Sequence, residues 1–245
     1  MYIDKFINYE PFSLTKNKKK KVFEKYIKLL TDHHYKNSKE YKKILDFFQH
    51  DLKRKKLSEI PFIPVQLFKK FKMKSIIEKK IFKTLTSSGT SGSIPSKIHL
   101  DKDNATNQIK VLRRIMSNIL GTERLPMLII DKNPKIENRS VFSAKSVAIY
   151  GFSIFGKKHT YLLNKNEEID YKILNNFLKM YGKQKFFVFG FTSLIYQNLI
   201  KNISTKKMKS NFKNGVLLHG GGWKKLEAIK ISNKLFKEKL IIKLK

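Results

Sequence analysis

Ile81-Phe82-Lys83-Thr84-Leu85 runs into Thr86-Ser87-Ser88-Gly89-Thr90-Ser91-Gly92-Ser93-Ile94-Pro95-Ser96-Lys97. The first five residues read as a strand, and the loop that follows is built almost wholly of Ser, Thr and Gly. Beyond the loop, Ile109, Leu112, Met116 and Ile119 share one helical face, with Gly121 as the expected stop. The loop's chemistry is specific. Ser87, Ser88, Thr90, Ser91 and Ser93 supply hydroxyls, Gly89 and Gly92 let backbone amides turn toward a ligand with no Cβ in the way, and Lys97 adds a cation. Together these residues form a phosphate cradle. It is not a Walker loop, because the Gly-Lys-Ser/Thr ending and its spacing are missing.

On the C-terminal side, the spacing predicts a buried strand at Leu125–Ile130 and an apolar stretch at Val147–Phe155. A helix is predicted over Tyr171–Met180, then strand Phe186-Phe187-Val188-Phe189 ending at Gly190, helix Ser193–Ile200 and strand Val216-Leu217-Leu218. A last helix, Lys224–Phe236, is expected after Gly220-Gly221-Gly222, and Leu240–Lys245 reads as a final strand. Strands alternating with helices mean βα units around a mostly parallel sheet. Residues 1–80 look helical and Lys-rich. Ser13 is a candidate cap, Val22, Tyr26 and Leu29 recur at helical spacing, and Tyr41, Ile44, Leu45 and Phe48 line a second helix. Pro61 and Pro64 should hold the segment between them extended.

The chain has 245 residues, long enough for a substantial core, and no cysteine, which removes disulfides, thiolate metal sites and cysteine nucleophiles. No apolar run has membrane-spanning length, and Met1–Glu10 lacks the order of a secretory signal, so a cytoplasmic protein is expected. The 53 basic against 19 acidic residues invite nucleic acid as a partner. However, all but five of those cations (Arg54, Arg113, Arg114, Arg124 and Arg139) are lysine. Readers of bases and phosphates favour Arg forks, so a nucleic-acid-binding protein is the lesser reading. The six histidines show no metal-ligand spacing with acidic partners, and no metal site is expected.

Ser88-Gly89-Thr90-Ser91-Gly92 with Pro95 and Lys97 resembles the phosphate loop of adenylate-forming enzymes. The run from Ser87 through Pro95-Ser96-Lys97-Ile98 narrows this, because it is similar to the acyl-protein synthetases of bacterial luminescence, the LuxE family. Ile60–Val65, Leu125–Asp131, Phe189–Thr192 and Leu218-His219-Gly220-Gly221-Gly222-Trp223-Lys224 follow in similar order and spacing. The resemblance implies an α/β chain: a helical N-terminal segment (1–80), then part of an adenylate-forming domain (81–245) with a mixed, mostly parallel sheet flanked by helices. It implies ATP-dependent activation of a carboxylic acid, a long-chain fatty acid, with Mg²⁺, for transfer to a protein or carrier thiol. The alternatives are a non-catalytic or split subunit of such a ligase, and a ligase for an aminoacyl or other acyl substrate in surface-polysaccharide modification.

The resemblance also assigns residues. Thr86, Ser87, Ser88, Gly89, Thr90, Ser91, Gly92 and Lys97 would hold the ATP phosphates, and Gly220, Gly221 and Gly222 would lie along the adenine. Phe191, Thr192 and Trp223 would line the acyl pocket, with Thr192 equally well read as a helix cap and Trp223 as core. Lys97 and His219 are the catalytic candidates, His219 being also readable as a structural histidine. Two departures stand out. There is no cysteine to accept the acyl group, and the aromatic-Gly-x-x-Glu segment and later catalytic Lys of such enzymes have no counterpart. An N-terminal portion of such an enzyme is therefore expected, needing an acyl acceptor protein or a complementary ligase subunit as partner. Weak nucleotide binding and little adenylation are expected of these residues alone.

Overall fold

The computed structural model describes residues 7, 9–49, 57–60, 62–86, 94–133, 144–209 and 212–244. The chain divides into two compact units, Met1–Ile119 and Leu120–Lys245.

In the first unit, Thr15 rather than Ser13 caps the leading helix, α1 (Lys16–Asn37), by accepting from the Lys18 amide. Ser38 ends α1 and caps α2 (Lys39–Phe47), which packs back on it with Leu45 buried. One short helical turn, α3 (Leu67–Lys70), follows Pro64 and lies against the second of two strands, β1 (Lys83–Thr86) and β2 (Lys97–Leu100). These strands are antiparallel, with Thr86 opposite Lys97. The phosphate-loop candidate is thus the connection of a hairpin. It does not pass straight from a strand to a helix, as the sequence led us to expect. β2 escapes sequence reading because Lys97, Ile98 and His99 face outward or half-outward and only Leu100 is buried. Helix α4 (Lys102–Leu120) comes next, with the Asp101 carboxylate accepting from the Asn104 amide, and it stops before Gly121.

The second unit is a four-stranded parallel sheet of β3 (Leu125–Lys132), β4 (Gly156–Leu163), β5 (Phe186–Phe191) and β6 (Gly215–Gly220) in the order β4-β3-β5-β6. Between them run α5 (Ala144–Ser153), α6 (Tyr171–Tyr181) and α7 (Thr192–Ile195), which continues as a π-helical stretch to Asn202. The apolar stretch at Val147–Phe155 is thus mainly helix, and β4 lies in a segment with no strong pattern, its middle exposed.

The period-2 alternation of β3 and β5 sends side chains to both faces. Leu128, Ile130, Phe186 and Val188 join Leu174, Phe177 and Leu178 of α6 and Ile195 and Leu199 of the α7 stretch in one core. On the other face Phe189 meets Phe152 of α5, ring centroids 4.7 Å apart. Both faces being covered is why these strands read as unbroken apolar runs.

Two expectations near the end fail. Lys224–Ile229 forms only a 3₁₀ turn, and the last element is a helix, α8 (Asn233–Leu244), not a strand at Leu240–Lys245. Phe236, Leu240 and Leu244 are the reason. They recur every four residues and are all buried. Among the described residues, no helix is long and apolar enough to cross a membrane.

Gly190 sits at a close approach between β5, β3 and α7. A Cβ there would lie 2.9 Å from Ile130 Cβ and 3.0 Å from Ile195 Cγ1. Gly190→Ala should therefore destabilise the fold by about 1–3 kcal/mol through overpacking, read as a lower urea midpoint with unchanged slope.

Candidate functional site

In an open parallel sheet, ligands bind beyond the carboxyl ends of the strands, above all where neighbouring connections depart in opposite directions. Here that place is between β3 and β5, because β3 connects outward to β4 and β5 outward to β6. β5 ends at Gly190-Phe191-Thr192, and β6 beside it ends at His219-Gly220-Gly221-Gly222, with Gly190 opposite His219 and Phe191 opposite Gly220.

One hydroxyl ties these ends together. Thr192 Oγ1 lies 3.1 Å from each of the Gly220 and Gly221 carbonyls and 3.0 Å from His219 Nδ1. A hydroxyl has one proton, which the two carbonyls share, so the pattern assigns a proton to His219 Nδ1 that is donated to the Thr192 oxygen. Nε2 then carries the lone pair. Burial, and after it the cation of Lys237, hold the His219 pKa below the ordinary imidazole value, which favours this neutral ring. The other wall of the ring is Phe236, at a centroid distance of 4.7 Å. The cap position of this helix is Phe191, not Thr192, and the Thr192 hydroxyl serves this bridge instead.

The glycine segment is bare and exposed. Nothing lies within 4 Å of where a Gly220 Cβ would stand. Gly221 sits at φ +79°, and a Cβ on it would come 3.1 Å from the Phe191 ring, so a side chain is disfavoured twice. Trp223 is buried (8% exposed) in the core, packed edge-on to Tyr196 and against Phe236.

Sequence reading overlooked Asp131, at the carboxyl end of β3. Its carboxylate is buried, with Oδ1 accepting from Lys145 Nζ and from the Lys132 amide, each at 2.8 Å. Its Oδ2 has no partner among the described residues. An acidic residue closing an apolar strand was the available signal.

Of the phosphate-loop candidates, Thr86 and Lys97 are exposed and face each other as the last pair of the hairpin, so the loop's two ends are held together. Ser87, Ser88, Gly89, Thr90, Ser91 and Gly92 lie outside the described residues. Thr86 and Lys97 belong to the first unit, whereas Phe191, Thr192, His219, Gly220, Gly221, Gly222 and Trp223 belong to the second. Among the described residues, no three of His, Asp and Glu gather to hold a metal ion.

The model of the acyl-protein synthetase family LuxE matches residues 2–245. The chain belongs to the LuxE family. No curated protein matches this LuxE-family chain in sequence. Among solved structures, 2-hydroxyisobutyryl-CoA ligase in its postadenylation state, in complex with 2-HIB-AMP, is similar over 96% of this chain and 51% of its own, at 12% identity and a TM-score of 0.59. The same ligase in its thioesterification state, with 2-HIB-AMP and CoA, covers 87% and 48%, at 12% identity and a TM-score of 0.55. The fold is thus similar to part of this ligase, and the chain spans about half the length of the structures it matches.

Thr192→Val should leave the His219 ring and two carbonyls short of a partner and cost about 1–3 kcal/mol, while Thr192→Ser should restore most of it, as thermal melts will show. The lowered His219 pKa carries a sign. The unfolded ring takes its proton near pH 6.5 and the folded ring only at lower pH, so this contribution to stability is complete above that value. It should fade as pH drops from about 6.5 toward the folded value, and His219→Gln should flatten that part of the profile.

Proposed function

We propose that this chain carries the nucleotide-handling part of an acyl-protein synthetase that converts a carboxylic acid and ATP into an acyl-adenylate. Residues 1–80 are its helical N-terminal segment and 81–245 its partial adenylate-forming domain. The observation that carries this reading is the bare, exposed glycine turn at the carboxyl end of β6, held by Thr192 and His219, in a LuxE-family chain. Gly220, Gly221 and Gly222 offer a flat backbone edge for an adenine. Thr86, the Ser/Thr/Gly residues Ser87 to Gly92 and Lys97 hold the phosphates, with Lys97 offsetting charge as pyrophosphate leaves. The paired Thr86 and Lys97 support this, because a loop closed at its base costs less to order around an anion than a free linker.

The acyl group, a long-chain fatty acid in this reading, lies against Phe191 and Thr192 with Trp223 beneath. His219 turns its unprotonated Nε2 toward a donor of the bound substrate. Mg²⁺, when present, would take its ligands from ATP oxygens and water, since the described residues bring no carboxylate cluster. The 245 residues contain no cysteine, so the acceptor thiol is not among them. The half-length match to solved ligases supports a complementary segment or subunit that excludes water and orients the reactants, effects worth about 7–11 kcal/mol together. The reading places this work in the cytoplasm.

Calorimetry with ATP and Mg²⁺ should show binding. Lys97→Ala should weaken it about tenfold or more, and Gly221→Val should also weaken it by straining the turn. Pyrophosphate exchange with fatty acids should stay near background until the complementary half is added. A wild-type chain that gives no heat with ATP defeats the reading.

A further inference from the structure

The face of α4 that carries Lys110, Arg113, Arg114, Ser117 and Asn118 borders a cleft of about 460 Å³, within the range of small-ligand sites. The five residues stand at i, i+3, i+4, i+7 and i+8, so they share one side of the helix. The segment before α1 closes the far wall through Glu10. Arg114 fastens that wall. Its guanidinium donates to the Tyr9 carbonyl at 3.3 Å and to Glu10 Oε1 at 2.6 Å.

This division of labour decides what the cleft fits. Among the described residues that line the cleft, Glu10 is the one that is acidic, and Arg114 already engages it. Among the described residues, neither Lys110 nor Arg113 forms an ion pair. What remains among the described lining residues is one guanidinium fork, one ammonium, one hydroxyl and one amide around a shallow, open cleft. Arginine is also scarce here. Only five occur in the chain, and two of them stand side by side at this cleft. A planar fork beside a point charge suits a tetrahedral oxyanion, which accepts two parallel hydrogen bonds from the first and a single one from the second.

We propose that this cleft binds the phosphate group of a phosphorylated small molecule, gripped by Arg113 and Lys110 with Ser117 and Asn118 as neutral donors. Neither Thr86 nor Lys97 lines this cleft, and the proposal does not depend on the role of the loop between them.

The test uses the full chain, with inorganic pyrophosphate as probe and calorimetry at low and physiological salt. The expected stoichiometry is two, one at the loop and one at the cleft. Lys110→Ala/Arg113→Ala should remove one site, or weaken it tenfold or more, without lowering the melting temperature. Lys97→Ala should remove the other. Backbone and side-chain amide signals of Ser117 and Asn118 should shift on titration. Arg113→Lys should bind more weakly than wild type, because the fork is lost. If only one site appears and Lys97→Ala abolishes it, the cleft proposal is overturned while the nucleotide reading stands. If only one appears and the cleft variant abolishes it, the reverse holds. Equal weakening by Lys28→Ala/Lys36→Ala, on α1, also overturns the proposal, since diffuse charge would then explain the binding. So does the absence of any heat.

Discussion

The second unit rests on a parallel sheet that must be covered on both faces. Every residue from Phe186 to Gly190 is buried, and so is every residue from Pro126 to Asp131. Backbone amides at such depth need partners, and the parallel ladders of β3 with β5 and of β5 with β6 supply them. Side chains then fill both sides: α6 and the α7 stretch against Leu128, Ile130 and Val188, and Phe152 of α5 against Phe189. Because each connection returns to start another strand in the same direction, all four carboxyl ends fall along one edge. That edge is where Asp131, Thr192, His219 and the glycine turn collect.

At that edge, polar chemistry is placed by apolar packing. His219 keeps its orientation because Phe236 lies beneath the ring, and Phe236 is itself fixed by Tyr196 and Trp223. Trp223, three residues after Gly220, anchors the chain just beyond the turn, so Gly220, Gly221 and Gly222 are exposed while their exit is buried. A rigid exit and an open turn suit a surface that a flat ligand must approach closely. The Thr192 hydroxyl adds the remaining restraint by accepting from the ring and donating to the turn's carbonyls, so β5 and β6 are joined past the end of their ladder.

Much of this was legible in residues alone. The runs Leu125–Ile130 and Phe186–Phe189 announced buried strands, because continuous apolar residues between turn signals have few other uses. β4 was not legible, because its middle is exposed and carries Lys157, Lys158 and His159. β2 was hidden for a similar reason. α8 was misread because Leu240-Ile241-Ile242 looks like a strand when taken alone, and only the spacing from Phe236 through Leu240 to Leu244 shows the helical stripe.

The sequence by itself determined the α/β class and the central strands, since these depend on local periodicity and on the identity of short runs. Tertiary structure alone decided that Thr192 would spend its hydroxyl on His219 and on carbonyls nearly thirty positions away, that Asp131 would be buried beside Lys145, and that Arg114 would clasp Glu10 and leave Arg113 free of any ion pair among the described residues. The physical reason is range. A helix face or a strand run is set by neighbours a few residues apart, whereas a hydrogen bond between distant residues exists only after the sheet has set their distance.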